Sequence, residues 1–333
     1  MSRLPLRNAA RTASRHRVIT AVVGAVVLCG AGVGAAAGAG AFASASLPAP
    51  ASALRQITGF GSNPTGLRMY LYVPHHVRPH PGVVVAMHFC TGSGPAMFAK
   101  TEFASLADRY GFIVLYPSVP RAGHCFDVSS LAATTHGQDD YTDAGTIVRM
   151  VHWVEQHLNA DPHRVFATGI SSGAEMTAVL LADYPDVFRA GSVMSGVPVG
   201  CFGTVAGPEA CLHGTISMSP QQWGNQVRDA YPHYRGPRPP IQIWHGTADT
   251  LLYYPDFRDE VAQWTNVLGA TMAHRDHPKS TWTHTVYVTK SGQVAVDAYS
   301  VAGETHQLGL DFPDWAQYAI RFFGLARGSA STP

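Results

Sequence analysis

"ATGISSGAEM", Ala167 through Met176, sets two adjacent serines between glycines, directly after the apolar run Val165-Phe166-Ala167. Gly169-Ile170-Ser171-Ser172-Gly173 is the one place where the chain fits glycine-any-serine-any-glycine. Glycines two residues to either side of a serine permit a sharp strand-to-helix turn that lifts the hydroxyl clear of a sheet. The residues before the turn read as a strand, and Met176, Val179 and Leu180 after it share one helical face. The competing reading is a glycine-rich turn whose serine only caps a helix. In a chain with 33 glycines the pentapeptide alone does not decide between them.

Outward from this turn, short apolar runs alternate with longer amphipathic ones. Met69–Val73, Gly82–Met87, Phe112–Tyr116, Val165–Gly169, Gly191–Gly196 and Ile241–Gly246 read as strands. Ile147, Met150, Val151, Val154 and Leu158 recur with helical spacing. The alternation predicts an α/β fold: a mostly parallel sheet with helices on both faces and its site at the carboxyl ends of the strands. One domain, residues 54–325, accounts for the pattern, with 326–333 as a flexible tail. The Pro-rich stretch Arg228–Pro240 reads as a loop within that domain, because the strand after it is needed by the sheet.

A formal net charge of +1 over 333 residues, 46% of them hydrophobic, gives no footprint for a polyanion, so nucleic acid is not expected as a partner. The N-terminus carries Arg3, Arg7, Arg11, Arg15 and Arg17, then an apolar run to about Phe42, then Ala-x-Ala sites. That order predicts an export signal over residues 1–45, cleaved after about 45 or 53, and a secreted, extracellular protein with no stable membrane association afterward. A retained membrane anchor is the rival reading, since the run is long enough to span a bilayer. A lipid-modified Cys29 is disfavoured by Leu28, where a small residue would be required. Export leaves Cys90, Cys125, Cys201 and Cys211, an even set that suggests two disulfides outside the cell. Of the three possible connectivities, Cys90–Cys125 with Cys201–Cys211 is favoured, each bond worth about 3 to 4 kcal/mol by loop-closure entropy. No zinc-type spacing of Cys or His occurs, so neither a metal nor another cofactor is expected.

A serine nucleophile needs a base for its proton and a carboxylate to orient that base. Asp249 follows the apolar run Ile241–Gly246, and His306 follows "VAVDAYSV", so both arrive in the order Ser, Asp, His. Asp249 as a simple turn cap is the alternative. Among 17 histidines, His274, His277 and His284 read as surface residues ahead of a strand, and His88 and His245 as satisfied structural ones. Acyl transfer also needs donors for a developing oxyanion; the backbone N–H groups of Ser172 and Cys90 are the candidates, the second from the loop Met87–Gly94. Trp223, Trp244 and Trp264 are candidates for stacking on a sugar, with a core position the alternative for each and preferred for Trp244.

Seven blocks, "VVAMHFCTGSG", "LADRYGFIVLYPS", "CFDVSS", "VFATGISSGAEMT", "YPDVFRAGSVMSGVPVGC", "YPHYRGPRPPIQIWHGTADTLLYY" and "GETHQLG", occur in order. Together they resemble carbohydrate esterase family 1, the secreted acetylxylan and feruloyl esterases, with the related polyhydroxybutyrate-depolymerase-like esterases. The resemblance implies an α/β-hydrolase fold, a triad of Ser171, Asp249 and His306, and pairing of Cys90 with Cys125. It also implies hydrolysis of esters on acetylated xylan or another ester-bearing polymer, and the chain is expected to act as a monomer. Phe89 after the loop histidine and the stretch Tyr231–Asp249 look most similar to acetylxylan esterases. Feruloyl and short-chain polyester hydrolysis, and a catalytically silent carbohydrate-binding scaffold, are the alternatives. Thr142-Asp143-Ala144 and Phe126 depart from the family's usual residues, which leaves the triad untouched and the acyl and sugar subsites open.

Overall fold

The computed structural model describes residues 53–138 and 141–326. The expected export signal and residues 327–333 of the expected tail lie outside the described residues. The chain runs β1 (Arg55–Ile57), β2 (Arg68–Tyr72), β3 (Val83–Met87), α1 (Gly94–Lys100), α2 (Phe103–Tyr110), β4 (Ile113–Ser118), α3 (Asp143–Leu158), β5 (Val165–Ile170) and α4 (Ser172–Asp183). It continues through β6 (Ala190–Met194), α5 (Pro208–Leu212), α6 (Pro220–Ala230), β7 (Ile241–Gly246), α7 (Pro255–Leu268), β8 (Thr271–Asp276), β9 (Trp282–Val288), β10 (Val294–Val301), α8 (Leu308–Asp311) and α9 (Trp315–Phe322).

The strands form a single sheet in the order β1-β2-β4-β3-β5-β6-β7-β10-β9-β8. From β4 to β10 the neighbours are parallel; β1 and β2 on one side, and β8 and β9 on the other, are antiparallel extensions. β3 shows why its run is continuously apolar. Val83, Val85 and Met87 enter one core with residues of α3, α4, α6 and α7, while Val84 and Ala86 enter another with α1, α2 and α9. Alternate side chains point to opposite faces, and both faces are covered. This is the α/β-hydrolase fold.

Three details differ from the sequence reading. α4 is buried on every side, not along one stripe: each residue from Ser172 to Asp183 is buried, because the helix packs between β5 and β6 beneath and α3 and α6 around it. Trp223 and Trp264 are core, at most 1% exposed, as is Trp244, for which a core position is the preferred reading, so none of the three is placed to stack on a sugar. His284 is not a surface residue either. It stands on β9 between two carboxylates, Nδ1 2.9 Å from Asp276 and Nε2 2.6 Å from Asp297, with its ring stacked on Tyr299. His274 and His277 are exposed, as expected, although His274 lies within β8.

Candidate active site

Ser171 sits between β5 and α4 with φ 55° and ψ −121°, a backbone conformation that a side-chain-bearing residue adopts at a cost of about 1–3 kcal/mol. Its N–H donates to the carbonyl of Met194 on β6, which fixes the turn against the sheet. Both flanking glycines are required by space. A Cβ at Gly169 would lie 2.3 Å from the backbone of Gly173, and one at Gly173 would lie 2.3 Å from the carbonyl oxygen of Met87 and 2.7 Å from that of His88. The turn is therefore pressed against the end of β3, from which the loop containing Cys90 departs.

The hydroxyl of Ser171 meets Nε2 of His306 at 2.9 Å, and Nδ1 of His306 meets Oδ2 of Asp249 at 2.7 Å. Asp249 accepts only, so Nδ1 carries the ring proton and Nε2 is left to accept from the serine O–H. Each residue comes from a strand's carboxyl end: Ser171 after β5, Asp249 after β7, His306 after β10. The last two loops are laced together. Thr247 donates from its N–H to Val301, Ala248 donates to Glu304, and Gly303 donates to the hydroxyl of Thr247.

Burial alone would push the Asp249 carboxyl upward. Hydrogen bonds from His245 and His306, the charge of His306 and the N–H of Leu251 instead hold it far below the usual carboxylate range. Oδ1 accepts from the N–H groups of Leu251 and Leu252 at 2.9 and 3.0 Å. Behind it, Nε2 of the fully buried His245 lies 3.4 Å from Oδ2 and 2.9 Å from the carbonyl of Leu252. His245, read from sequence as a structural histidine, thus touches the same carboxylate that His306 meets; only the three-dimensional turn at 249–252 reveals that contact. His88 has no such link. Nδ1 donates to the carbonyl of Phe89, Nε2 accepts from the N–H of Val119, and burial lowers its pKa to about 4, so it is a neutral brace for the loop.

In the loop after β3, the N–H of Thr91 is taken by Gly123 and that of Gly92 by Phe89. The N–H of Cys90 has no hydrogen-bond partner among the described residues. Ser172 occupies the first position of α4, where an N–H has no partner within the helix, and its side-chain oxygen is buried. Cys90 is joined to Cys125 and Cys201 to Cys211. The Cys125 side of the first bond is held by Asp143: Arg121 donates to the Asp143 carboxylate and also to the carbonyl of Cys125, and the N–H of Asp127 donates to the same carboxylate. That gives Asp143 at the start of α3 a definite task. A pocket of about 360 Å³ opens over the serine, walled by Phe89, Cys90, Ile170, Leu251, Gln307 and Leu310 beside the hydroxyl and imidazole.

Among the described residues no group of three or more His, Cys, Asp or Glu could hold a metal ion. No helix among them is long and apolar enough to cross a membrane.

The chain is similar to several esterases. It is 43% identical over 240 residues to "Probable acetylxylan esterase A" of Aspergillus fumigatus, an alignment covering 71% of this chain and 63% of the relative. It is 39% identical over 286 residues to feruloyl esterase B of Talaromyces stipitatus, covering 84% of this chain and 77% of the relative. The chain therefore spans less than two thirds of the length of the first of these. Among solved structures, an acetyl xylan esterase from Aspergillus awamori superposes with a TM-score of 0.76 at 36% identity, covering 82% of this chain and all of the other. Residues 67–251, more than half of the chain, match the family described as Esterase PHB depolymerase, and the chain belongs to that family.

Proposed function

We propose that the protein is a secreted serine carboxylic-ester hydrolase that removes acetyl groups from xylan, acting as a monomer from one catalytic domain, residues 54–325, after loss of its export signal. The observation that carries this reading is the relay from Ser171 through His306 to Asp249, at 2.9 and 2.7 Å, in the floor of an open pocket. The named relatives support acetylxylan as the substrate, and two disulfides accord with an extracellular site.

In this mechanism His306 Nε2 takes the Ser171 proton as the oxygen attacks the ester carbonyl, and Asp249 stabilises the imidazolium that forms. The carbonyl oxygen becomes negative and is received by the N–H groups of Cys90 and Ser172. Such donors are each worth about 100- to 1000-fold in rate when the site fixes them beforehand. The imidazolium then gives its proton to the sugar oxygen as the bond from that oxygen to the acetyl carbon breaks. The sugar leaves with a free hydroxyl and the acetyl group stays on Ser171. Water, deprotonated by the same nitrogen, releases acetate and restores the serine.

Ser171→Ala tests the reading on p-nitrophenyl acetate. Turnover is expected to fall by about 10⁴-fold or more, and retention of more than a small percentage of parent turnover would sink it. Rates on acetylated xylan, methyl ferulate and polyhydroxybutyrate separate the acyl classes. Comparable or faster ferulate turnover would replace acetyl with feruloyl as the preferred group, the reading favoured by the Talaromyces relative.

A further inference from the structure

A second cavity, of about 390 Å³, lies on the α7 face of the sheet and belongs to none of the machinery described above. Its floor follows from strand alternation: Thr283, Thr285 and Tyr287 of β9 and Ala298 and Ser300 of β10 point to one face, while Trp282, His284, Asp297 and Tyr299 point to the other. Arg275 of β8, paired across from Thr285, joins the same face. The opposite wall is the first half of α7, with Phe257, Arg258 and Val261, preceded by Tyr254. A cavity of this size is within the range of small-molecule sites.

The wall chemistry is selective. It holds two guanidinium groups and no carboxylate. Neither Arg258 nor Arg275 makes an ion pair among the described residues. Arg275 is steadied through Nε, which donates to the Thr285 hydroxyl at 3.2 Å, so its terminal nitrogens remain for another acceptor. Arg258 lies over the Tyr254 ring at 5.3 Å, which holds its plane while leaving its donors outward. Hydroxyls of Thr283, Ser300 and Tyr254 line the cavity, the last two bonded to each other at 2.8 Å, and the half-buried Tyr287 supplies an aromatic surface. A guanidinium binds a carboxylate in a planar, two-pronged way, and hydroxyls with an aromatic ring suit a sugar. The cavity is also close to the reaction: the Tyr254 ring packs 6.2 Å from that of His245, which reaches Asp249.

We propose that this cavity is an accessory subsite for an acidic sugar, a uronate carried on the polysaccharide, whose carboxylate is received by Arg258 and Arg275. The polysaccharide context rests on the function proposed above; the anion-selective site rests on the cavity alone. The subsite gives the enzyme a grip on charged regions of the polymer without contributing to bond cleavage.

The test is calorimetric binding to the Ser171→Ala protein, which cannot turn over the probe. Two probes are compared: a xylo-oligosaccharide bearing one glucuronate, and its carboxyl-reduced, uncharged counterpart. The acidic probe is expected to bind about tenfold more tightly, with the advantage shrinking in high salt and lost in the Arg258→Gln/Arg275→Gln background. Equal affinity for the two probes overturns the subsite, and needs no arginine variant. So does an undiminished preference in the double variant, or inorganic phosphate matching the acidic probe, which would mark an anion site with no sugar recognition. With Ser171 restored, the double variant should cleave p-nitrophenyl acetate at the parent rate, and a large loss there would place the arginines in the fold or the reaction instead. Failure of the parent on acetylated xylan would overturn the proposed function while the binding comparison still reads the subsite.

Discussion

Asp249 and Asp256 are seven positions apart and both buried, 4% and 1% exposed, yet the protein holds them in opposite protonation states. Asp249 receives two backbone N–H groups and two histidines, and is held as an anion far below the ordinary range. Asp256 has an oxygen with no partner; burial first, and then the neighbouring Asp259, Glu175 and Asp249, push it up to about 8. Glu175 is raised by burial to about 8, and Glu260, with both oxygens unpartnered, well above its usual value. Burial is common to all four, so burial does not set the charge. Donors do: a buried carboxylate stays ionised only where N–H groups replace the water it has lost. The one that meets His306 has them, and the other three fill space as neutral acids.

The sharpest way to break this contrast is to remove the charge and keep the shape. Asp249→Asn should lower turnover of p-nitrophenyl acetate by about 10⁴-fold, because an amide cannot hold His306 in the tautomer that leaves Nε2 free. A loss under tenfold would show that the carboxylate is dispensable. Next comes the donor behind it. His245→Asn withdraws the N–H beside Oδ2 and should cost about 10- to 100-fold in kcat with KM nearly unchanged, whereas His245→Gln, whose amide reaches the Nε2 position, should recover much of the loss. Equal losses in the two variants would argue that the ring matters only as packing. The smallest kinetic effect belongs to the neutral acids. Glu175→Gln should leave turnover within about threefold and act on stability instead.

The sign of that last effect follows from linkage. A folded-state pKa of about 8 against an ordinary 4.5 means that the folded protein keeps this proton longer than the unfolded chain. The stability contributed is fully present below about pH 4.5 and is lost as pH rises through 8. Removing the group should flatten the fall by about 1.4 kcal/mol per pH unit across that window. Urea unfolding at several pH values measures it, and an unchanged slope would show that Glu175 is ionised in the fold.

The sequence was most legible where one physical demand governs a stretch. The parallel strands β3, β5, β6 and β7 are apolar because both faces are covered, and their limits lie within a residue or two of the expected ones. β6 stops at Met194, short of the expected Gly196, because Ser195 turns with φ 54°. β8 and β9 were not legible. β8 is exposed along nearly its whole length, and β9 sets Thr283-His284-Thr285 together inside the strand and is only partly buried, so neither shows a buried run. The relay of Ser171, His306 and Asp249 could be anticipated from order along the chain, since each residue follows its own strand. His245 could not, because its contact depends on a turn that brings Leu252 back over the ring. Nor could the fates of Trp223 and Trp264, since an indole in a core and one in a cleft look alike without the neighbours that bury them.

The close approach of Gly173 to Met87 and His88 has a consequence for how this protein can change. A side chain there would meet the backbone that leads to Cys90, whose N–H is one of the two proposed donors, from the start of α4, where Ser172 carries the other. Ser171 and the two proposed donors therefore cannot drift apart by single substitutions at the turn; they vary together or stay fixed. Leu251, from the turn after β7, and Gln307 and Leu310, at the start of and within α8, border the same pocket and carry no such constraint. On the proposed function, new acyl preferences are accessible to selection, natural or in the laboratory, through those walls, while the proposed reacting centre is inherited unchanged.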